Sequence, residues 1–182
     1  NIGHGNAHVQ EAMIRQIREL TFAGQHMATK PRALLGEKLA SITPPGLTRF
    51  LYTLGGSDAN ENAVKIARDY TGKFKILTRY RSYHGATMGA MALTGDYRRL
   101  HWEPETMPGV VHFLDPYPYR SPFFPDGSSI DLAVFAQAYL DHLEEIIRFE
   151  GPETIAAVLI ETVTGTNGIL IPPEGYLQGV RA

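Results

Sequence analysis

Apolar positions along the chain fall into helix-period, strand-period and continuous runs punctuated by glycine and proline. From Val9 to Phe22, Ala12, Met13, Ile17 and Leu20 recur among charged and amide residues at amphipathic helical spacing, until Ala23-Gly24-Gln25-His26-Met27 breaks it. A second helix is predicted from Pro31 to Ile42, with Pro31 in the first turn, leucines on one side and Thr43-Pro44-Pro45-Gly46 as its stop. Leu47 to Leu54 alternates loosely and is rich in strand formers, which predicts a strand feeding the turn Gly55-Gly56-Ser57. The helix that follows takes Ser57 or Asp58 as its N-cap, presents Ala59, Ala63, Val64, Ile66, Ala67 and Tyr70 on one face, and stops at Gly72. Phe74 to Tyr80 predicts the next strand and completes a strand-helix-strand unit, by default parallel and right-handed.

The chain then runs through Arg81-Ser82-Tyr83-His84-Gly85-Ala86-Thr87 into a small, apolar stretch ending at Thr94, which reads as a buried helix or turn. Asp96 to Phe124 is irregular and rich in aromatics and proline, with a short strand at Val110 to Leu114; a segment of this length reads as a surface-packed or subunit-covering loop. A helix from Ile130 to Phe149 is capped by Asp131 and ended by Gly151-Pro152. The continuous apolar run Ile155 to Ile160 predicts a strand buried on both faces of a parallel sheet, with Glu161 at its carboxyl end. The fold class is therefore α/β, a mostly parallel sheet with flanking helices. Residues 1–45 read as a helical segment leading into a domain that spans 46–182.

Composition narrows the function classes. A net charge of -2 without a basic run gives no field for nucleic acid or an anionic membrane, and no apolar run reaches the length of a membrane span. The lack of cysteine excludes disulfides, thiolate metal sites and thiol catalysis and fits a reducing, cytoplasmic setting. The chain opens without methionine and stops where a helix is just beginning after Pro172-Pro173-Glu174-Gly175-Tyr176, so both ends read as cut.

The glycine turn carries the first chemical signal. Unpaired backbone N–H groups at a helix N-terminus, aided by the helix dipole, make Gly56 and Ser57 a candidate phosphate cradle; the alternative is a tight turn and N-cap. Ligands of open α/β sheets bind outside the carboxyl ends of strands, so the Gly56–Ser57 turn, the Tyr83–His84 loop and Glu161 are expected to converge on one crevice. A nucleotide-binding reading is weaker, because Gly55-Gly56-Ser57 lacks the spaced glycine pattern of dinucleotide sites.

Three motifs agree in order and spacing with one family: Gly56-Ser57-Asp58-Ala59-Asn60-Glu61, Tyr83-His84-Gly85 with Ala92-Leu93-Thr94-Gly95, and Glu161-Thr162-Val163-Thr164-Gly165 leading to Pro172-Pro173-Glu174-Gly175-Tyr176-Leu177. On these, the chain resembles the class III, or ω-amino acid, aminotransferases of the pyridoxal phosphate fold type I group. The likeness covers nearly the whole chain and is weakest from Met107 to Gly127. It implies that residues 46–182 are part of a cofactor-binding large domain and that pyridoxal 5'-phosphate is the cofactor. Gly56 and Ser57 would hold its phosphate and Tyr83 would stack on its pyridine ring. His84 would touch the same pocket or anchor the loop. Glu161 would tune protonation near the ring hydroxyl or, as a strand-end acid, pair with an arginine. Asn60 would steady the helix start. No metal is implied.

Departures from the family pattern limit what carries over. Thr162 replaces a usual proline, and Thr166 stands where the 4-aminobutyrate and ornithine members have a second glutamate that pairs with a substrate-binding arginine. The chain thus looks more like the amine or taurine to pyruvate branch, in which Phe22, Gln25 and His26 fall near substrate-pocket positions. The family's catalytic lysine and the aspartate that pairs with the pyridine nitrogen are expected beyond Ala182, so this chain has no catalytic residue of its own and should be inactive alone. The implied partners are a small amine donor, a 2-oxo acid acceptor and a second copy, as a homodimer or higher homo-oligomer. A racemase, mutase or decarboxylase of the same fold, or a non-catalytic phosphate-binding or assembly piece, are the alternatives.

Overall fold

A computed structural model describes residues 2–125 and 131–182. The chain divides into two compact units, Asn1–Tyr52 and Thr53–Ala182.

The first unit holds α1 (Ala7–Glu19) and α2 (Lys30–Ile42). Asn6 caps α1 by accepting the Val9 N–H at 3.2 Å, and Pro31 occupies the first turn of α2, where its missing N–H costs nothing. Neither helix has a buried residue. The linking loop is organised by Arg32, whose guanidinium donates to the carbonyls of Gly24, Gln25 and Met27 at 2.7, 3.2 and 2.9 Å. Phe22, Gln25 and His26 are exposed on this unit.

Leu47–Leu54 departs from expectation. It forms no strand, and Leu54 is fully exposed. Strand formers alone do not make a strand; the backbone groups need a neighbouring ladder, and among the described residues this stretch has none. The predicted strand-helix-strand unit is therefore missing its first strand.

The second unit is a three-layer α/β arrangement. Its elements are α3 (Gly56–Thr71), β1 (Lys75–Arg79), α4 (Met88–Leu93), β2 (Val110–Phe113), α5 (Leu132–Glu150), β3 (Ile155–Val158) and α6 (Tyr176–Arg181). Asp131 caps α5 by accepting the Ala133 N–H at 2.8 Å; Ile130, the expected first residue of that helix, lies outside the described residues. Among the described residues the strands form one parallel sheet ordered β2-β1-β3. Alternation along the central strand β1 sets both faces. Ile76 packs with Val64 and Leu93 on one side, whereas Leu77 packs with Phe113 and Leu143 of α5 on the other. β3 was expected to be buried on both faces. Its residues are only half-buried, because it is the edge strand of the described sheet. No described helix is long and apolar enough to cross a membrane.

Candidate functional site

The N-terminus of α3 has no side-chain cap. Gly55 is the extended N-cap residue, and the first helical hydrogen bond runs from Ala59 N–H to Gly55 O at 3.0 Å. The N–H groups of Gly56, Ser57 and Asp58 thus lack intrahelical acceptors, as at any helix start. Nothing lies within 4 Å of where a Cβ would stand on Gly55 or Gly56, so open space adjoins these donors. The expected capping by Ser57 or Asp58 does not occur. Ser57 is already inside the helix, and its Oγ instead accepts the N–H of Ala86 at 3.1 Å, while Asp58 Oδ2 accepts the Leu54 N–H at 3.4 Å.

The loop after β1 is thereby drawn onto α3. Gly85 has φ +140°, and a Cβ there would collide with Ser57 Oγ and lie 2.8 Å from Ser57 Cβ, so both conformation and space require glycine. Asn60 ties the loop to α3: its amide donates to the His84 carbonyl at 2.7 Å. His84 donates its own N–H to Thr94 Oγ1 at 3.0 Å, and its Nε2 lies 3.1 Å from Thr78 Oγ1. His84 is only 6% exposed, and burial pushes its pKa down to about 4, which favours the neutral ring. Every one of these contacts uses His84 as an anchor for the loop.

The far end of the loop is held by Glu161. Its Oε1 accepts the Tyr83 N–H at 3.1 Å, and its Oε2 accepts the Gly165 N–H at 2.7 Å. The expected strand-end pairing with arginine takes another form: buried Arg79 donates to the main-chain carbonyl of Glu161, not to its carboxylate. Arg79 itself faces Asp115, Nε to Oδ1 at 3.9 Å. The Tyr83 ring is half-buried and carries the Arg98 guanidinium over one face, 3.9 Å from the ring centroid.

Ser57, Tyr83 and Glu161 are therefore brought to one locus beyond the carboxyl ends of β1 and β3, and His84 is turned inward beneath it. Sequence reasoning missed several residues that build this locus. Thr94 and Gly95 lay in a quoted motif without a role; Thr94 receives the His84 N–H, and a Cβ on Gly95 would strike the carbonyl oxygens of Arg79 and Tyr80. Glu61, in the opening motif, reaches out of α3 to accept the Gly89 N–H at 3.1 Å and the Thr87 hydroxyl at the start of α4. Thr78 and Arg98 had no local signal.

The profile described as Aminotransferase class-III matches residues 1–182. The chain is 35% identical to a taurine–pyruvate aminotransferase of Bilophila wadsworthia, over 100% of this chain and 40% of that protein. It is 34% identical to a diaminobutyrate–2-oxoglutarate transaminase of Halomonas elongata, again over 100% of this chain and 40% of that one. The crystal structure of a taurine:2-oxoglutarate aminotransferase from Bifidobacterium kashiwanohense, in complex with PLP and glutamate, superimposes with a TM-score of 0.90 at 39% identity, covering 100% of this chain and 40% of that one. The chain thus spans about two fifths of the length of these relatives. The family model matches all 182 residues, and the chain belongs to the class-III aminotransferase family.

Proposed function

We propose that this chain is the N-terminal-to-middle part of a cytoplasmic, homo-oligomeric aminotransferase that uses pyridoxal 5'-phosphate, with residues 46–182 forming part of its large domain. The whole enzyme moves an amino group from an amine or ω-amino acid to a 2-oxo acid, which we read as pyruvate. What supports this acceptor is the lack of a second glutamate: Thr166 stands where the 4-aminobutyrate and ornithine members carry one.

The observation that carries the reading is the uncapped start of α3, whose Ser57 is bonded to the loop bearing Tyr83, which in turn hangs from Glu161. The residues fit the cofactor on these grounds. Free N–H groups beside open space suit a phosphate dianion, and the helix dipole adds roughly 0.3–1 kcal/mol to its binding. Gly56 and Ser57 would hold that phosphate, and Tyr83 would offer a ring face to the pyridine. Glu161, its carboxylate oriented by two backbone donors, would hold negative charge near the ring. His84 fixes the loop, its ring turned inward to Thr78 and its backbone N–H held by Thr94. When bound, the cofactor supplies an electron sink at the carbon that gains or loses the amino group. The catalytic lysine and its partner aspartate lie, in this reading, beyond Ala182.

The test is to add pyridoxal phosphate to the whole protein and look for a visible absorbance that borohydride traps on one lysine, then for turnover of an amine with pyruvate and with 2-oxoglutarate. The 182-residue chain alone should trap no specific lysine. Trapping on a lysine within residues 1–182 would refute the assignment of that lysine, and carbon dioxide release or turnover without a 2-oxo acid would refute amino transfer.

A further inference from the structure

Tyr83 is held at two points that converge on the same loop. Its backbone N–H goes to Glu161, and its ring lies under Arg98. Arg98 is not a loose surface cation. Its Nε donates to both oxygens of Asp96, at 3.0 and 2.9 Å, its Nη2 donates to the same carboxylate, and its backbone N–H reaches Asp96 Oδ1 at 2.9 Å. Asp96 is almost completely buried and also accepts the Asn167 amide at 3.1 Å, while Arg98 Nη2 donates to Thr166 Oγ1 at 3.0 Å. Burial pushes the Asp96 carboxyl up, but the hydrogen bonds from Arg98 and Asn167 bring it below its ordinary value, so the pair stays ionised. Among the described residues no other guanidinium and no aromatic ring stacks on Tyr83.

A guanidinium at this distance occupies the ring face it covers, and a planar fork locked by a carboxylate covers it at little further entropic cost. We propose that Arg98 is a positioning residue for the cofactor ring: clamped by Asp96 and tied to Thr166, it closes one face of Tyr83 and leaves the opposite face as the stacking platform. The inference rests on the reading of Tyr83 as the residue that meets the pyridine ring. It gives the Asp96–Arg98–Thr166–Asn167 network a task beyond holding two loops together, since the tilt of Tyr83 then sets the tilt of whatever flat ring lies on it.

The experiment is a double-substitution cycle in the whole protein, titrated with pyridoxal phosphate and read by dissociation constant and by the induced circular dichroism of the bound cofactor. Arg98→Met is expected to weaken binding about 3- to 10-fold and to shrink or shift the induced band. Tyr83→Leu should do the same, and the double variant should be no worse than Tyr83→Leu. Arg98→Lys keeps the ion pair with Asp96 but lacks the planar fork, so it should fold normally and still show an altered band. A wild-type band and affinity in either Arg98 variant, or effects of Arg98→Met and Tyr83→Leu that simply multiply, would overturn the proposal. If the wild-type protein itself takes up no pyridoxal phosphate, the functional reading fails and this inference falls with it; uptake with an indifferent Arg98 sinks the inference alone.

Discussion

Glu161 accepts the backbone N–H of Tyr83 at 3.1 Å across 78 residues of sequence. Because its other oxygen holds the Gly165 N–H at 2.7 Å, one carboxylate joins the end of the β1 loop to the turn that follows β3. Two strands that are neighbours in the sheet thus have their outgoing loops locked together at the candidate site.

Glu161→Gln tests that lock. Glutamine keeps one acceptor and puts an N–H₂ group where the second acceptor stood, so one backbone donor meets another donor. A loss of about 1–3 kcal/mol is expected, measured by urea denaturation of the whole protein. A variant as stable as wild type would show that water replaces the carboxylate without cost.

Gly85→Ala tests the close approach of the loop to α3. The new Cβ would collide with Ser57 Oγ, lie 2.8 Å from Ser57 Cβ and 2.9 Å from Ala90 Cβ, and force φ +140° on an alanine. Backbone strain alone costs about 1–3 kcal/mol. Removing the hydroxyl with Ser57→Ala in the same chain should restore only part of the loss, because both Cβ contacts remain. Full recovery would mean that the hydroxyl is the sole obstacle.

His84 makes stability depend on acid. An unfolded histidine titrates near 6.5, whereas burial holds the folded ring at about 4. Between those values the unfolded chain binds more protons, so stability rises with pH through the window and is lost as pH falls from about 6.5 toward about 4. The loss approaches something on the order of 3 kcal/mol at the acid end. His112 and His142 are also lowered, by burial first, and act in the same direction. His84→Asn should flatten this acid limb in denaturation curves taken between pH 7 and pH 4; an unchanged slope would assign the proton uptake elsewhere.

Asp115→Asn probes the buried charges on the opposite face of β1. Asp115 accepts the Arg81 N–H at 3.2 and 3.0 Å and stands 3.9 Å from Arg79, whose side chain is almost wholly buried. Neutralising the acid strands the Arg79 guanidinium in a dry site, for an expected cost of about 3–5 kcal/mol in thermal or urea unfolding. A cost below about 1 kcal/mol would mean that the main-chain carbonyl of Glu161 suffices to hold Arg79.

Local signals, each written within a few residues, are legible in the sequence itself. Pro31 in the first turn of α2, Gly72 at the end of α3, Asp131 at the cap of α5 and the apolar strands near 75–79, 110–113 and 155–158 all follow from capping, φ restrictions and periodicity. The parallel α/β class followed from their order, and the meeting of the Tyr83 loop with Glu161 followed from where parallel strands end, whereas the Ser57 turn, with no strand before it, joins them through its bond to Ala86.

What the sequence left undecided depends on partners far away along the chain. Leu47–Leu54 has strand composition and no ladder among the described residues, so composition could not make it a strand. Ser57 has the chemistry of a cap, yet Ala86 claims its hydroxyl; His84 has the chemistry of a pocket residue, yet Thr78 and Thr94 claim it. Arg98 gave no sign of its position over Tyr83, because that contact exists only when Asp96, Thr166 and Asn167 meet. The sequence by itself determined most of the elements, their class and that the loops after β1 and β3 share an end of the sheet, since caps, glycines and periodicity act over a few residues. Only the tertiary structure decided which hydroxyl, ring or guanidinium faces which neighbour, since one step of register in β1 would exchange the faces on which Thr78 and Arg79 are spent.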